Sequence, residues 1–294
     1  MNTKDCRNRR QLNPDFIKAW ATVLIGGTVA TLGISSLISL GTTPDPTATT
    51  TPTETIQSTD VPVVTTATLE LNLAMAINQI ELTVPRGSLY DRNWLNKFGE
   101  SVEHAIRTYS ALGESVPAKL YNMSAAWATI RHLCYDADTG VSGETILAML
   151  AKTTTAEIGG LDNYHAYSTA RAEQAAVIWC ILNRVDYDYP DLFQEEHSDT
   201  AAAIVAECKA PCQFAYDINR EPYTGHEQLA FDVLCRWVLE HYGVLSNVGR
   251  TLPDNYKWFY AAGDGWHNVF RTTFEQGDDC QYWDWSLPDP YEAG

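Results

Sequence analysis

The chain has 294 residues, 45% of them apolar, and carries a formal net charge of −17 at pH 7, with 37 acidic against 20 basic residues. That length holds one substantial domain, or a core domain with a smaller companion. The charge argues against nucleic acid, whose phosphates need a basic face, and against an anionic surface, but it is compatible with an uncharged or mixed-charge polymer such as a glycan.

The charge is unevenly placed. Residues 1–41 contain Lys4, Arg7, Arg9, Arg10 and Lys18 against Asp5 and Asp15, a net of +3, which leaves −20 for the remainder. Ala19 to Leu40 is 22 residues without a charge, about 33 Å as a helix and enough to cross a bilayer core. The basic flank precedes it, so residues 1–18 are expected in the cytoplasm and everything after Gly41 outside. A cleaved signal peptide is the alternative, although its apolar core is shorter, about 7–15 residues. The expected location is the cell membrane, single-pass with the body extracellular, or secreted after signal cleavage.

Thr42 to Thr66, TTPDPTATTTPTETIQSTDVPVVTT, is rich in Thr and Pro and poor in large apolar side chains, so a disordered, semi-rigid stalk is expected over residues 42–68. Residues 69–85 are apolar but ambiguous between helix and strand. Trp94–Leu112 and Pro117–Cys134 show apolar residues at spacings of three and four, as amphipathic helices do, with Gly113 and Pro117 as end and start signals. These form a helical accessory region over 69–140.

After the loop DADTG, Ser142 is a candidate N-cap for the helix ETILAMLAKTTTAE, which Gly159 and Gly160 should terminate. Arg171–Arg184 (RAEQAAVIWCILNR) is strongly apolar and expected at the centre of the core. Another helix is expected from about His226 to Tyr242. Strand signals are scarce, so the fold class is mostly α.

Of seven cysteines, Cys6 precedes the expected span and six follow it, where disulfides can persist. Six allow 15 pairings. Cys208 and Cys212 in CKAPC are close enough to bridge locally, while Cys180 and Cys235 lie in apolar patterns that suit buried thiols. No metal site is expected, because CKAPC has no second pair or matching histidines. No cofactor is called for.

Glu157 stands at the end of an apolar helix beside two glycines. Apolar neighbours and a helix's negative end favour the protonated carboxyl, which a general acid acting on a glycosidic oxygen requires. A solvated carboxylate at a helix end is the plainer alternative.

The order AE, EQAAVIWCILNRV, CQFAYD and WFYAAGDGWHNVF over about residues 144–275 resembles the bacterial cell wall hydrolase family of the spore cortex-lytic (SleB) type. Glu157 matches that family's catalytic acid, Gln174 its helix-opening Gln, and Asn183 with Arg184 its L-N-R-V close. Gln213 and Phe214 match the Q-F segment; Gly265, His267 and Phe270 resemble the closing G-x-H-x-F element with looser spacing. The loop after Glu157 is longer than the family's E-A-R-G-E-x-x-x-G-Q run, and Leu161 or Asp162 falls where its second Glu belongs.

The resemblance implies a lysozyme-like helical catalytic domain over 141–294, behind the transmembrane helix and stalk. It further implies cleavage of the MurNAc–GlcNAc β-1,4 bond of peptidoglycan, as lytic transglycosylases do, with Glu157 as acid and then base. Hydrolysis through water would need a second carboxylate about 5–9.5 Å away, for which Asp162 and Asp217 are the nearby candidates. Gln174 and Asn183 lie about 180° apart on one helix, so they either contact sugar or brace the catalytic loop as buried amides. Phe214, Tyr216, Trp258, Phe259 and Tyr260 offer flat faces for a glycan or ordinary core, and His267 a cleft wall or a structural imidazole.

The expected partners are peptidoglycan and, through the N-terminal helix, the membrane. Nucleic acid is not expected, and the sequence names no protein partner. Rival readings are a Cys/His peptidase using Cys134 near His132 or Cys180, a zinc peptidase (HEQLA has Ala230 where the second ligand belongs), and a catalytically inactive, stalked wall-binding module.

Overall fold

The computed structural model describes residues 87–158, 170–193, 199–211, 213–261, 268–284 and 290–291, all within one compact unit, Val64–Gly294. The expected tail, membrane segment and stalk lie outside them. No helix among the described residues is long and apolar enough to cross a membrane.

The described residues are mostly helical. The elements are α1 (Arg92–Ala111), α2 (Ala118–Arg131) running into a π-helical turn (His132–Asp136), α3 (Ile146–Ile158), α4 (Ala170–Asp188), α5 (Thr200–Cys208), α6 (His226–His241), β1 (Trp258–Ala261) and β2 (Asn268–Arg271). Helix α1 starts where Asp91 accepts the Trp94 N–H at 2.7 Å, and α5 where Asp199 accepts that of Ala202 at 2.9 Å. Helix α3 starts later than Ser142 predicts. Gly143 takes φ +77°, outside the helical range, and Thr145 caps instead, its hydroxyl accepting the Ala148 N–H.

Every residue from Ala172 to Val185 on α4 is buried, which makes α4 the central helix. One apolar cluster runs from Tyr90 through Met123, Leu150, Trp179 and Trp237 to Tyr291. Helices α1 and α2 thus share their core with α3–α6. At the α1–α2 crossing a Cβ on Gly99 would lie 2.3 Å from Trp127 Nε1, so only glycine permits that approach.

The sequence reading gave no strand, yet WFYA and NVFR pair antiparallel in the register Trp258–Arg271, Phe259–Phe270, Tyr260–Val269. Aromatic and β-branched residues at period two explain them. One face of this hairpin carries Phe259 and Phe270, which meet at 5.4 Å. The other carries Trp258, Tyr260 and Arg271.

The termini of the described unit are tied to α6 by one buried carboxylate. Asp232 accepts the Tyr90 N–H, the Tyr291 hydroxyl and Arg236 Nε at 2.7, 2.7 and 2.8 Å. Arg236 lies over both tyrosine rings. Cys134, Cys180, Cys208, Cys235 and Cys280 all carry free thiols. The local bridge that CKAPC offered is not formed, because Cys208 ends α5 turned into the core, where its thiol meets Thr153.

Candidate active site

Helix α3 supplies the site with a stripe of polar side chains. Thr153 and Thr154 satisfy their hydroxyls on the carbonyls one turn back, Met149 O and Leu150 O, so a run of threonines stays helical in the core. Thr155, also buried, has two partners: its oxygen accepts the Tyr223 N–H at 3.0 Å, and it hydrogen-bonds His226 Nδ1 at 2.8 Å. Burial holds His226 neutral, pushing its pKa down from 6.5 to about 4.

Two residues on, Glu157 accepts the Ala215 N–H at 2.5 Å. The segment around Ala215 is fastened along the same helix. Glu144, buried just before α3, accepts the Tyr216 hydroxyl at 2.6 Å and Lys152 Nζ at 2.9 Å, and Lys152 also donates to Ile218 O at 2.9 Å. The loop 213–223 is therefore fixed to α3 at Glu157, Glu144, Lys152 and Thr155. Burial, followed by the Glu144 carboxylate, holds the Tyr216 phenol protonated.

Glu157 is half-buried at the penultimate position of α3. Burial raises its pKa above the ordinary 4.5, and the Ala215 N–H pulls partly against that. A carboxyl in this setting retains its proton longer than a free one and still has a donor ready for the anion. Gly159 and Gly160 lie outside the described residues.

The structure brings Glu157 together with Gln213, Phe214 and Tyr216. Phe214 is half-buried and lies 6.1 Å from Phe259, which joins the hairpin, and with it Trp258, to the same region. Gln174 and Asn183 sit inside the core, each 1% exposed. Both Asn183 N–H groups are used, on Pro253 O at 2.9 Å and Tyr256 O at 2.8 Å, and its oxygen accepts Arg250 Nη1. These partners describe a brace for the segment leading into β1. Gln174 Nε2 is buried with no partner among the described residues. His267, Gly265 and Asp162 lie outside the described residues. Asp217 is exposed and accepts the Asn219 N–H at 3.0 Å, a loop-capping role.

Glu207 on α5 was not singled out by the sequence. It is 3% exposed and paired with Arg184 Nε, and burial outweighs that cation to hold its carboxyl above the usual range. The Cys180 thiol, raised by burial, lies in the fields of Arg184, Glu207 and Glu157. AEC at the end of a short apolar helix offers no signal for this. The contact exists only where α5 meets α4.

The thiols of the peptidase alternative are inert: Cys134 and Cys180 are buried, and burial pushes Cys134 up to about 12. No group of three or more His, Cys, Asp and Glu side chains among the described residues could hold a metal ion. Comparison of the chain with protein families, with curated proteins and with solved structures finds no match.

Proposed function

We propose that the chain cleaves peptidoglycan glycan strands at the MurNAc–GlcNAc β-1,4 bond, with Glu157 as the single acid and base of a lytic transglycosylase. The observation that carries this reading is the setting of Glu157. Its carboxyl is raised by burial at a helix C-terminus, and an N–H donor aims at it from a loop fastened along the same helix. The first property suits donation of a proton to the leaving oxygen. The second suits the carboxylate that then takes the muramic C6 hydroxyl proton as the 1,6-anhydro ring closes. The order of the sequence motifs supports the substrate. The basic N-terminus, charge-free stretch and Thr/Pro tract support an anchored or secreted enzyme whose body lies outside the membrane, with a lysozyme-like helical fold.

The test is incubation of the full-length protein, and of its Glu157→Gln variant, with purified peptidoglycan, followed by mass spectrometry of the released fragments. Anhydro-muramic ends are expected from the wild type, with the variant slower by about 10²–10⁴-fold, the usual contribution of a positioned acid–base group. Reducing ends would replace transglycosylation with hydrolysis. Failure to release fragments from several wall types would leave a wall-binding module, and equal activity in both proteins would remove Glu157 from the mechanism.

A further inference from the structure

Arg271, the last residue of β2, is only 9% exposed, yet its Nε has no hydrogen-bond partner and its guanidinium no carboxylate within ion-pair distance among the described residues. Arg171, half-buried, donates to the Gly87 carbonyl, and three further buried or half-buried arginines have carboxylate partners. Arg184 pairs with Glu207, Arg236 with Asp232 and Arg250 with Glu240. In a chain with 37 acidic and 20 basic residues, a buried cation without a counter-charge bears a desolvation cost that an anion from outside would offset.

The surroundings fit such a ligand. The guanidinium lies 5.3 Å from the centre of the Tyr260 ring and 5.7 Å from that of Phe274, an arrangement that steadies its plane and leaves its edge for hydrogen bonds. Tyr260 and Tyr282 are 38% and 46% exposed, and the Arg271 charge reaches the Tyr282 phenol, so the cation has a solvent-facing rim. Trp258 is its cross-strand partner, and Tyr187, 61% exposed, stands edge-on to Trp258 at 6.3 Å. Trp258, Tyr260 and a guanidinium with no carboxylate partner among the described residues thus share one face of the hairpin, while its other face reaches Phe214 beside Glu157.

We infer that this face is a substrate subsite for a carboxylate-bearing glycan, in which Arg271 pairs with a carboxylate while Trp258 and Tyr260 stack on sugar rings. Resting on the cleavage reading above, it assigns the carboxylate to the peptide stem of a peptidoglycan strand, bound beyond the bond whose leaving oxygen Glu157 protonates. A guanidinium fork accepts a carboxylate through two parallel hydrogen bonds, a geometry that an uncharged amide cannot match in strength.

The test uses the full-length Glu157→Gln protein, which binds without turnover. Calorimetry compares a soluble disaccharide–peptide carrying free carboxylates with the same fragment carrying carboxamides. The acid form is expected to bind about tenfold tighter or more, given the strength of charge-assisted hydrogen bonds. The added substitution Arg271→Gln should bring the two fragments to one affinity. Equal affinities in the parent protein overturn the inference without recourse to any second variant, and so does a preference that survives Arg271→Gln. Cleavage is scored separately by fragment release with the wild type. A lost carboxylate preference therefore leaves the role of Glu157 standing, and a preference in a protein that does not cleave keeps the subsite and removes the reaction.

Discussion

Acid should weaken this fold through one histidine. His226 is fully buried, hydrogen-bonds Thr155 Oγ1 through Nδ1, and is held neutral down to about pH 4 instead of 6.5. Below 6.5 the unfolded chain takes up a proton that the folded chain refuses. Stability is therefore fully present above 6.5 and is lost as pH falls toward 4. The interval of 2.5 pH units (6.5 − 4), at about 1.4 kcal/mol per unit, amounts to about 3 kcal/mol, a large part of the roughly 5–15 kcal/mol that holds a domain together.

Denaturant unfolding at several pH values from 7 to 4 measures it, with His226→Asn as the reference. Asn places an amide near the Nδ1 position and cannot titrate. The variant should be less stable at pH 7, because the ring leaves a void, but its stability should fall less steeply on acidification, by about 3 kcal/mol over the interval. Glu157 and Glu207 act in the opposite sense: their raised carboxyls favour the fold as they protonate. They do so in both proteins, so the difference between the two slopes isolates the imidazole. Parallel slopes would refute the reasoning, because the burial of His226 would then not govern its protonation.

Replacing Glu157 by Gln should raise the melting temperature at pH 7 while removing activity, since a carboxyl raised by burial costs stability once ionised; the gain should vanish in acid, where both side chains are neutral. Gly99→Ala should lower stability by about 1–3 kcal/mol through overpacking, read as a fall in melting temperature, because its Cβ would lie 2.3 Å from Trp127 Nε1. An unchanged melting temperature would mean that the α1–α2 crossing yields more readily than its spacing allows. Asp232→Ala should cost about 3–5 kcal/mol by leaving Arg236 buried and unpaired, measured by urea unfolding, and should speed proteolysis near Tyr291, which loses its acceptor. Asn183→Ala should loosen the 253–256 segment, seen as faster hydrogen exchange there, because Pro253 O and Tyr256 O lose the amide that holds them.

The long helices were legible because their apolar period is strong: Trp94–Leu112 and His226–Tyr242 were expected and Arg92–Ala111 and His226–His241 are found. Helix α4 shows its core position directly, as a run with hardly a charge between Gln174 and Arg184. What escaped was short or depended on distant residues. Helix α5 has nine residues, TAAAIVAEC, too few for a period to declare itself, although the Asp199 cap was a usable signal. Each strand of the hairpin has four residues, and only the glycines between the two apolar runs mark it as a turn. The start of α3 was misplaced because Ser142 looks as good a cap as Thr145 until the positive φ of Gly143 intervenes. In the candidate site, Glu157 was visible from its helix-end position. Neither the Arg184–Glu207 pair nor the bare guanidinium of Arg271 could be, since each is defined by what packs against it.

The same contrast bears on the loop 213–223, beside which the proposed acid lies. The loop's ties to α3 and to Glu144 just before it are hydrogen bonds, made by Glu144, Lys152, Thr155 and Glu157. Apolar packing resists displacement in proportion to area and is indifferent to protonation. Directional polar contacts fix a backbone N–H to within a few tenths of an ångström but change strength with charge. At Glu157 this matters twice. Burial alone would leave a carboxyl that gives up its proton too reluctantly, and a donor alone would leave one that cannot hold it. Burial raises its pKa and the Ala215 N–H lowers it, opposing pulls that suit the role proposed for it, of giving a proton and then taking one back. Helix α3 thus supplies the acid at a half-buried position and, through Lys152, Thr155 and Glu157, the polar contacts that hold the loop against it.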